Sequence, residues 1–299
     1  IKDAKLAIKL EFDWIALSFV RSKNDVILLK NLIEKNTKEL IPIIAKIEKP
    51  QAIKKMDEII KVANGIMVAR GDLGIEVPAE EVPLYQKALV KKANEARKPV
   101  IVATQMMESM IENLTPSRAE VNDVANSVID GADCIMLSAE TSVGKYPCQV
   151  VKKVGEIIIG VEGAQPIKHK FSLPKIKSKR IITKTICRHA ALIANEIHAS
   201  AVCTLTHSGY TGWQISSWRP NCLVIVFTSN KRILSQLNLL WGVKSIYYNK
   251  FQSTDKTVED VNLLAIKNRY VKKGDIVINL ASMPIKDKGQ VNTLRISQL

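Results

Sequence analysis

Five apolar, β-rich runs divide the first half of the chain: Trp14–Phe19, Leu40–Ile47, Gly65–Ala69, Pro99–Thr104 and Cys134–Leu137. Each is followed by a stretch of helical character. Over Asn24–Glu34, Val26, Leu29 and Ile33 fall on one side, and Val121, Val124, Ala125 and Val128 repeat the spacing of an amphipathic helix. Thr115-Pro116 and the Ser117-x-x-Glu120 box mark a start for that last helix, because hydroxyls cap orphan amides and proline suits a first turn. Strands that are apolar throughout and alternate with helices predict a parallel sheet with its outer face covered.

Polar residues gather at the carboxyl ends of the same runs: Ser18 and Arg21, Lys46 and Glu48, Arg70 and Asp72, Thr104 and Gln105, Ser138 and Glu140. In a (β/α)₈ barrel of the TIM type, loops converge over a packed core at that rim, and catalytic groups sit there. Five βα units do not close such a barrel, so the expectation is a partial barrel with three units preceding residue 1, or an open sheet. After a Pro-punctuated, lysine-rich stretch containing Pro166 and Pro174, a second αβ series begins. It runs through a helix at Ile181–His198, strands at Ala201–Leu205, Leu223–Thr228 and Val243–Tyr247, a helix at Val258–Tyr270, and strands at Asp275–Leu280 and Thr293–Ser297. The expected organisation is an α/β chain with a partial barrel domain over 1–166 and a smaller three-layer α/β domain over 167–299, the boundary falling near 164–178.

Composition narrows the classes of function. The formal charge is +15, but the lysines are spread along the chain, aromatic residues make up 5%, and no DNA- or RNA-binding motif accompanies them. This argues against nucleic acid as a main partner, because net charge bears on solubility and non-specific association. No run of about eighteen apolar residues could span a bilayer, and the first residues lack the order of a secretory leader. Five cysteines, Cys134, Cys148, Cys187, Cys203 and Cys222, are odd in number and form no C-x-x-C pair. Neither a disulfide framework nor a zinc ribbon is expected, no membrane partner either, and a reducing cytoplasm fits. His169, His189, His198 and His207 show no metal-ligand spacing.

The most informative segment is Ile41-Pro-Ile-Ile-Ala-Lys46-Ile-Glu48. In an extended chain Lys46 and Glu48 project from one face. A second strand ends in Met67-Val-Ala-Arg70-Gly71-Asp72. Glu48 and Asp72 could together hold Mg²⁺ or Mn²⁺, hard cations that take one or two protein carboxylates and leave positions for substrate oxygens. Lys46 would balance charge on a transferring phosphoryl group or a developing enolate. Taken alone, such residues equally describe a surface salt-bridge network.

Several long strings bear on that choice. IIAKIEKPQAI, GIMVARGDLGIEVP, PVIVATQMMESM, TPSRAEVNDVANSVIDGADCIMLSAET and GKYP occur in the order and spacing of the pyruvate kinase family, which the chain resembles through essentially its whole length. The resemblance implies phosphoryl transfer from phosphoenolpyruvate to ADP, giving pyruvate and ATP. It implies that Lys46 is the catalytic lysine and that Glu48 and Asp72 are divalent-metal ligands. The amides of Gly71 and Asp72 would bind the substrate carboxylate at a helix start. Thr104 would assist protonation of the enolate, with Ser138 and Glu140 supporting the proton path, and Arg70 is read as a packing and orienting residue. Ser18 is either a site residue or a plain strand-end hydroxyl.

The same resemblance implies a K⁺ requirement, homotetramers with the Ser117–Asp130 helix at one contact, and a sugar-phosphate effector at Thr206-His207-Ser208-Gly209-Tyr210-Thr211. At that loop the chain departs from the family pattern: Tyr210 stands where arginine is frequent, and Gly212 where alanine is common. Complete members carry three preceding barrel units and an inserted β domain, with the K⁺ ligands and part of the nucleotide site. The 299-residue polypeptide by itself is therefore expected to be inactive. Competing readings are a lyase or aldolase of the wider phosphoenolpyruvate/pyruvate barrel group, which the AKIEKPQAI segment and the second domain disfavour, and a non-catalytic regulatory fragment.

Overall fold

The computed structural model describes residues 1–164, 180–250, 253–283 and 290–299. The chain divides into two compact units, Ile1–Ile167 and Lys168–Leu299. The Pro-punctuated, lysine-rich stretch and the 164–178 boundary lie almost wholly, and His169 wholly, outside the described residues.

In the first unit, α1 (Lys2–Lys9) precedes β1 (Ile15–Leu17), α2 (Lys23–Asn36), β2 (Ile43–Ile47), α3 (Pro50–Lys54), α4 (Met56–Val62) and β3 (Gly65–Ala69). Then come α5 (Arg70–Glu76), α6 (Val82–Glu95), β4 (Val100–Ala103), α7 (Arg118–Asp130), β5 (Cys134–Met136), α8 (Ala139–Ser142) and α9 (Pro147–Ala164). The five strands form one parallel sheet in the order β1-β2-β3-β4-β5. This is the barrel-type β/α succession expected from the alternating apolar runs. The core beneath the helices joins Val26, Leu29 and Ile33 of α2 to Ile43, Ile47, Ile66, Val68, Val100 and Val102 of the strands, with Leu89 and Val90 of α6. Each such side chain contributes about 1.5–3 kcal/mol of burial, which fixes the sheet and hence its carboxyl edge.

Four strands are shorter than their apolar runs, β5 by one residue and three others for evident local reasons. β2 starts at Ile43 because Pro42 has no N–H for the ladder, although its carbonyl accepts from Ile15 N at 3.1 Å. β1 and β4 stop early because Phe19 (φ 55°), Thr104 (φ 69°) and Gln105 (φ 53°) adopt the left-handed region, which cannot continue a strand.

The second unit contains α10 (Ile181–Glu196), β6 (Ala201–Leu205), α11 (Tyr210–Ser216), β7 (Leu223–Thr228), α12 (Lys231–Gln236), β8 (Val243–Tyr247), α13 (Thr254–Lys267), β9 (Ile276–Ala281) and β10 (Thr293–Gln298). Its sheet has the order β10-β9-β6-β7-β8, with only β10 antiparallel. Alternate residues serve opposite faces. Val202, Val224, Val226 and Ile278 pack with Cys187, Ala190 and Ala194 of α10, whereas Ala201, Cys203, Ile225 and Val277 pack with Val261 and Ala265 of α13. That period of two builds three layers. α13 begins and ends earlier than its apolar spacing suggests, the chain passing through Asn268 into a left-handed Arg269 (φ 59°). Burial pushes the Cys203 thiol up to about 12 and the Cys222 thiol up to about 11, so both stay protonated at neutral pH.

The box at the start of α7 forms and extends further than its motif. Glu120 accepts from Ser117 N at 2.7 Å and Ser117 Oγ at 2.9 Å, while Ser117 Oγ accepts from Glu120 N. The same carboxylate also accepts from Ser109 N at 2.6 Å and Ser109 Oγ at 2.5 Å. Desolvation opposes its ionisation, but the hydrogen bonds from Ser109 and Ser117 together outweigh it and hold the carboxyl below its ordinary range. A depressed native value gives stabilisation that is complete above the ordinary carboxylate range and is lost as pH falls through the native value. Glu120→Gln is expected to lower stability by about 1 kcal/mol at pH 7, as for loss of a cap. Urea unfolding checks this, and the gap between wild type and variant should narrow as pH falls below the ordinary carboxylate range; a gap of constant size would refute the assignment.

Candidate active site

The carboxyl edge of the first sheet assembles residues distant in sequence. Lys46, next to last in β2, and Glu48, just beyond it, lie on one side of the extended chain, with Lys46 Nζ 2.5 Å from Glu48 Oε1. Lys46 Nζ also donates to Ser18 Oγ at 3.1 Å, which brings the end of β1 into the cluster. Glu48 is 0% exposed. Its Oε2 accepts from Phe19 N at 2.7 Å, an amide aimed there by the left-handed turn at Phe19.

The ammonium of Lys46 reaches Glu48 Oε1 as a charge contact, yet that oxygen takes no hydrogen bond of directed geometry. A buried carboxylate is costly unless cations neutralise it, and the Lys46 ammonium already supplies one. This chemistry fits a divalent metal with Glu48 as one ligand. Asp72, exposed at the third position of α5, stands at the end of β3, the strand paired with β2. Among the described residues no three His, Cys, Asp or Glu side chains converge.

Gly71 and Thr104 meet at the next strand end, where Gly71 N donates to Thr104 Oγ1 at 2.7 Å and the hydroxyl donates to Ala103 O at 2.6 Å. The Gly71 amide, read from sequence as a carboxylate donor, is therefore engaged by Thr104 in this arrangement. Arg70 fixes that corner. Its guanidinium donates to Thr104 O at 2.5 Å, Gln105 O at 3.2 Å and Ala103 O at 3.4 Å, and both Asp123 oxygens lie within 2.7 Å of Nη1. Two successive left-handed residues without glycine cost about 1–2 kcal/mol each, and the guanidinium holds the carbonyls that this backbone turns inward. Arg70 was expected to brace carbonyls or carboxylates. Asp123, 53 positions away on α7, was not singled out from the sequence; its place on a helix otherwise read for its apolar stripe hid it.

At the end of β5, Glu140 is 3% exposed and both its oxygens accept from backbone amides, Oε1 from Met107 N at 3.2 Å and Oε2 from Ser138 N at 2.7 Å. It pins the loop after β4 to the turn after β5. Ser138 is thus joined to Glu140 through its backbone.

The segment Thr206-His207-Ser208-Gly209-Tyr210-Thr211 belongs to the second unit and runs from the end of β6 into the first turn of α11. Gly209 has φ 76°, which only glycine adopts freely, and its N–H donates to Thr206 Oγ1 at 3.1 Å. The Arg180 guanidinium lies 4.6 Å from the Tyr210 ring centre. A methyl at Gly212 would stand 2.8 Å from Val226 Cγ2, so the glycine lets α11 approach β7 closely. His207 and Ser208 are exposed, and Trp213 and Trp218 pack partly buried against the core of this unit. The other described histidines show no metal grouping, and His189 Nδ1 lies 2.9 Å from Thr185 O.

A parallel β/α sheet with a lysine–carboxylate cluster at its carboxyl edge, followed by a three-layer α/β unit, defines an α/β protein of barrel type with its polar cluster where such folds carry their chemistry. Residues 1–151 match the family model described as pyruvate kinase, barrel domain, and residues 184–297 match pyruvate kinase, alpha/beta domain. Pyruvate kinase of Sporosarcina psychrophila is 41% identical over 99% of this chain, and that of Mycobacterium tuberculosis is 40% identical over 100% of it. The chain spans 50% and 62% of those two relatives. The crystal structure of a pyruvate kinase from Cryptosporidium parvum superposes with a TM-score of 0.90 at 33% identity, covering 99% of this chain and 60% of that one. The chain belongs to the pyruvate kinase family.

The bracing of the β4 corner generates a measurable expectation. Asp123→Asn removes half of a partly buried ion pair, Arg70 being 10% exposed and Asp123 31%. Reduced for that exposure, the loss is expected to be about 2 kcal/mol. Hydrogen exchange should accelerate at the amides of 104–107 before the rest of the sheet, and uniform acceleration would argue against a local brace.

Proposed function

We propose that the protein transfers the phosphoryl group of phosphoenolpyruvate to ADP and releases pyruvate. The observation that carries this reading is the buried Glu48 oxygen beside Lys46 at the strand-end rim, in a chain of this family. Glu48 and Asp72 would hold Mg²⁺ or Mn²⁺, which when bound supplies charge neutralisation to phosphoryl and carboxylate oxygens.

Lys46 places a fixed ammonium at the rim, where negative charge develops as the phosphoryl group departs and an enolate remains. Ser18 and Glu48 orient it. Thr104 offers its hydroxyl for protonation of the enolate carbon. That proton points at Ala103 O, so the hydroxyl must rotate, or relay through water, to deliver it. Binding of the substrate carboxylate at Gly71 requires the amide to leave Thr104 Oγ1, which removes a bond that the hydroxyl accepts and leaves its own donation to Ala103 O in place. Glu140, with both oxygens on backbone amides, acts by position.

By family membership the reading extends to a K⁺ requirement, a cytoplasmic setting and a homotetramer. Loop 206–211 would take a phosphorylated effector, with Arg180 beside Tyr210 as the nearby cation.

A coupled assay of phosphoenolpyruvate-dependent ATP formation with Mg²⁺ and K⁺ tests the proposal on two proteins: the 299-residue chain, and the same chain preceded by the corresponding segment of the Sporosarcina relative. Activity is expected in the extended protein only. Lys46→Met and Glu48→Gln should each reduce kcat by about 10²–10³, the scale for one preorganised charge. Chelation should abolish activity, with Mn²⁺ restoring it in wild type but poorly in Glu48→Gln. Thr104→Ala should lower kcat with little change in KM for phosphoenolpyruvate. An extended protein that folds and makes no ATP would refute the reading.

A further inference from the structure

A second polar pocket opens at the opposite edge of the same sheet. Ala63 and Lys98 each stand two positions before a strand, β3 and β4, and those strands are parallel neighbours, so the pair marks the amino edge. The pocket is about 430 Å³ in volume and is lined by Lys98 together with Asp57 and Lys61 of α4 and Lys92 and Glu95 of α6. Lys92 is tied to Asp57 at 2.6 Å. Lys98 Nζ donates to Ala63 O at 2.7 Å, which anchors one N–H of a residue that lines the pocket.

We propose that Lys98 is a covalent acylation site whose acyl donor is a small acyl phosphate seated in this pocket. Burial pulls the Lys98 ammonium below its ordinary value, and the charge of Lys30 on α2 adds to the effect. The free amine, which is the nucleophile, is thereby enriched. Lys61 supplies positive charge for the phosphate end of the donor, Lys92 being already paired with Asp57. The amine lone pair attacks the acyl carbon, an N–C bond forms, and the C–O bond to phosphate breaks with its electron pair leaving on the phosphate. The surplus proton on nitrogen passes to the departing phosphate, so no oxidant or further reactant is needed. The amide product keeps an N–H for Ala63 O and removes one positive charge from the neighbourhood of Lys30, Lys61 and Lys92. The site is therefore able to change its charge without losing its hydrogen bond. None of these residues belongs to the strand-end cluster around Lys46, and the proposal stands independently of the reaction proposed for that cluster.

The test is incubation of the folded protein with acetyl phosphate at neutral pH, followed by quantitative peptide mass spectrometry. Lys145 is the internal reference, because its ion pair with Glu112 raises its ammonium. Lys98 is expected to acetylate severalfold faster than Lys145, because its ammonium is pulled below the ordinary value while that of Lys145 is held above it. Lys61→Ala should reduce this preference toward acetyl phosphate and leave it intact toward acetic anhydride, which carries no phosphate. The preference should vanish in denaturant. Modification of Lys98 no faster than Lys145 would overturn the proposal, as would a preference that survives unfolding. A preference seen with the anhydride alone would overturn the acyl phosphate assignment.

Discussion

One guanidinium does most to define the shape of the candidate site. Arg70 begins α5 directly after β3, and from there it reaches three consecutive carbonyls at the end of β4 and the carboxylate of Asp123 on α7. A planar group with five donors is suited to this, because it satisfies several acceptors at fixed angles where an ammonium would offer a point charge. Without it, the left-handed pair Thr104 and Gln105 would face inward carbonyls that lack partners. The strand-end residues are thus held by hydrogen bonds that cross between neighbouring βα units, and burial beneath the sheet keeps those units in register.

Strain and charge are concentrated on the same rim. Phe19, Thr104 and Gln105 all sit at positive φ, and each is coupled to a polar group of the cluster: Phe19 through its amide to Glu48, and Thr104 and Gln105 through their carbonyls to Arg70. Backbone in sparsely populated conformations persists where surrounding contacts over-determine it. Here those contacts include a buried carboxylate and a nearly buried guanidinium, both of which need the strained backbone to satisfy them. The cost and the compensation therefore belong to a single cooperative unit.

Much of this was legible in the sequence because it is local. The period-two spacing of Lys46 and Glu48, the existence of the apolar strands and the Ser117-x-x-Glu120 box each depend on residues a few positions apart, and these appear as read, the strand ends excepted. The pairing of Arg70 with Asp123, the use of Phe19 N by Glu48 and the recruitment of Ser109 by Glu120 join positions that only the folded sheet brings together. Strand ends were overestimated at Phe19 and Thr104 because apolar or β-branched side chains give no warning of a left-handed backbone. Glu140 shows the reverse case, a residue assigned to the proton path by resemblance whose oxygens both hold backbone amides.

The carboxylate of Glu120 grips Ser109 and Ser117 at the two ends of the segment between them. Those ends are closed on each other irrespective of what the intervening residues do, much as a buckle fixes a strap whose slack is free to vary. Met110 is buried in the core, but the largely exposed residues 112–116 can differ in length or composition while the path from Thr104 to the first turn of α7 is held. Variation confined to that span would change the outer surface of the molecule and leave the strand-end chemistry in place.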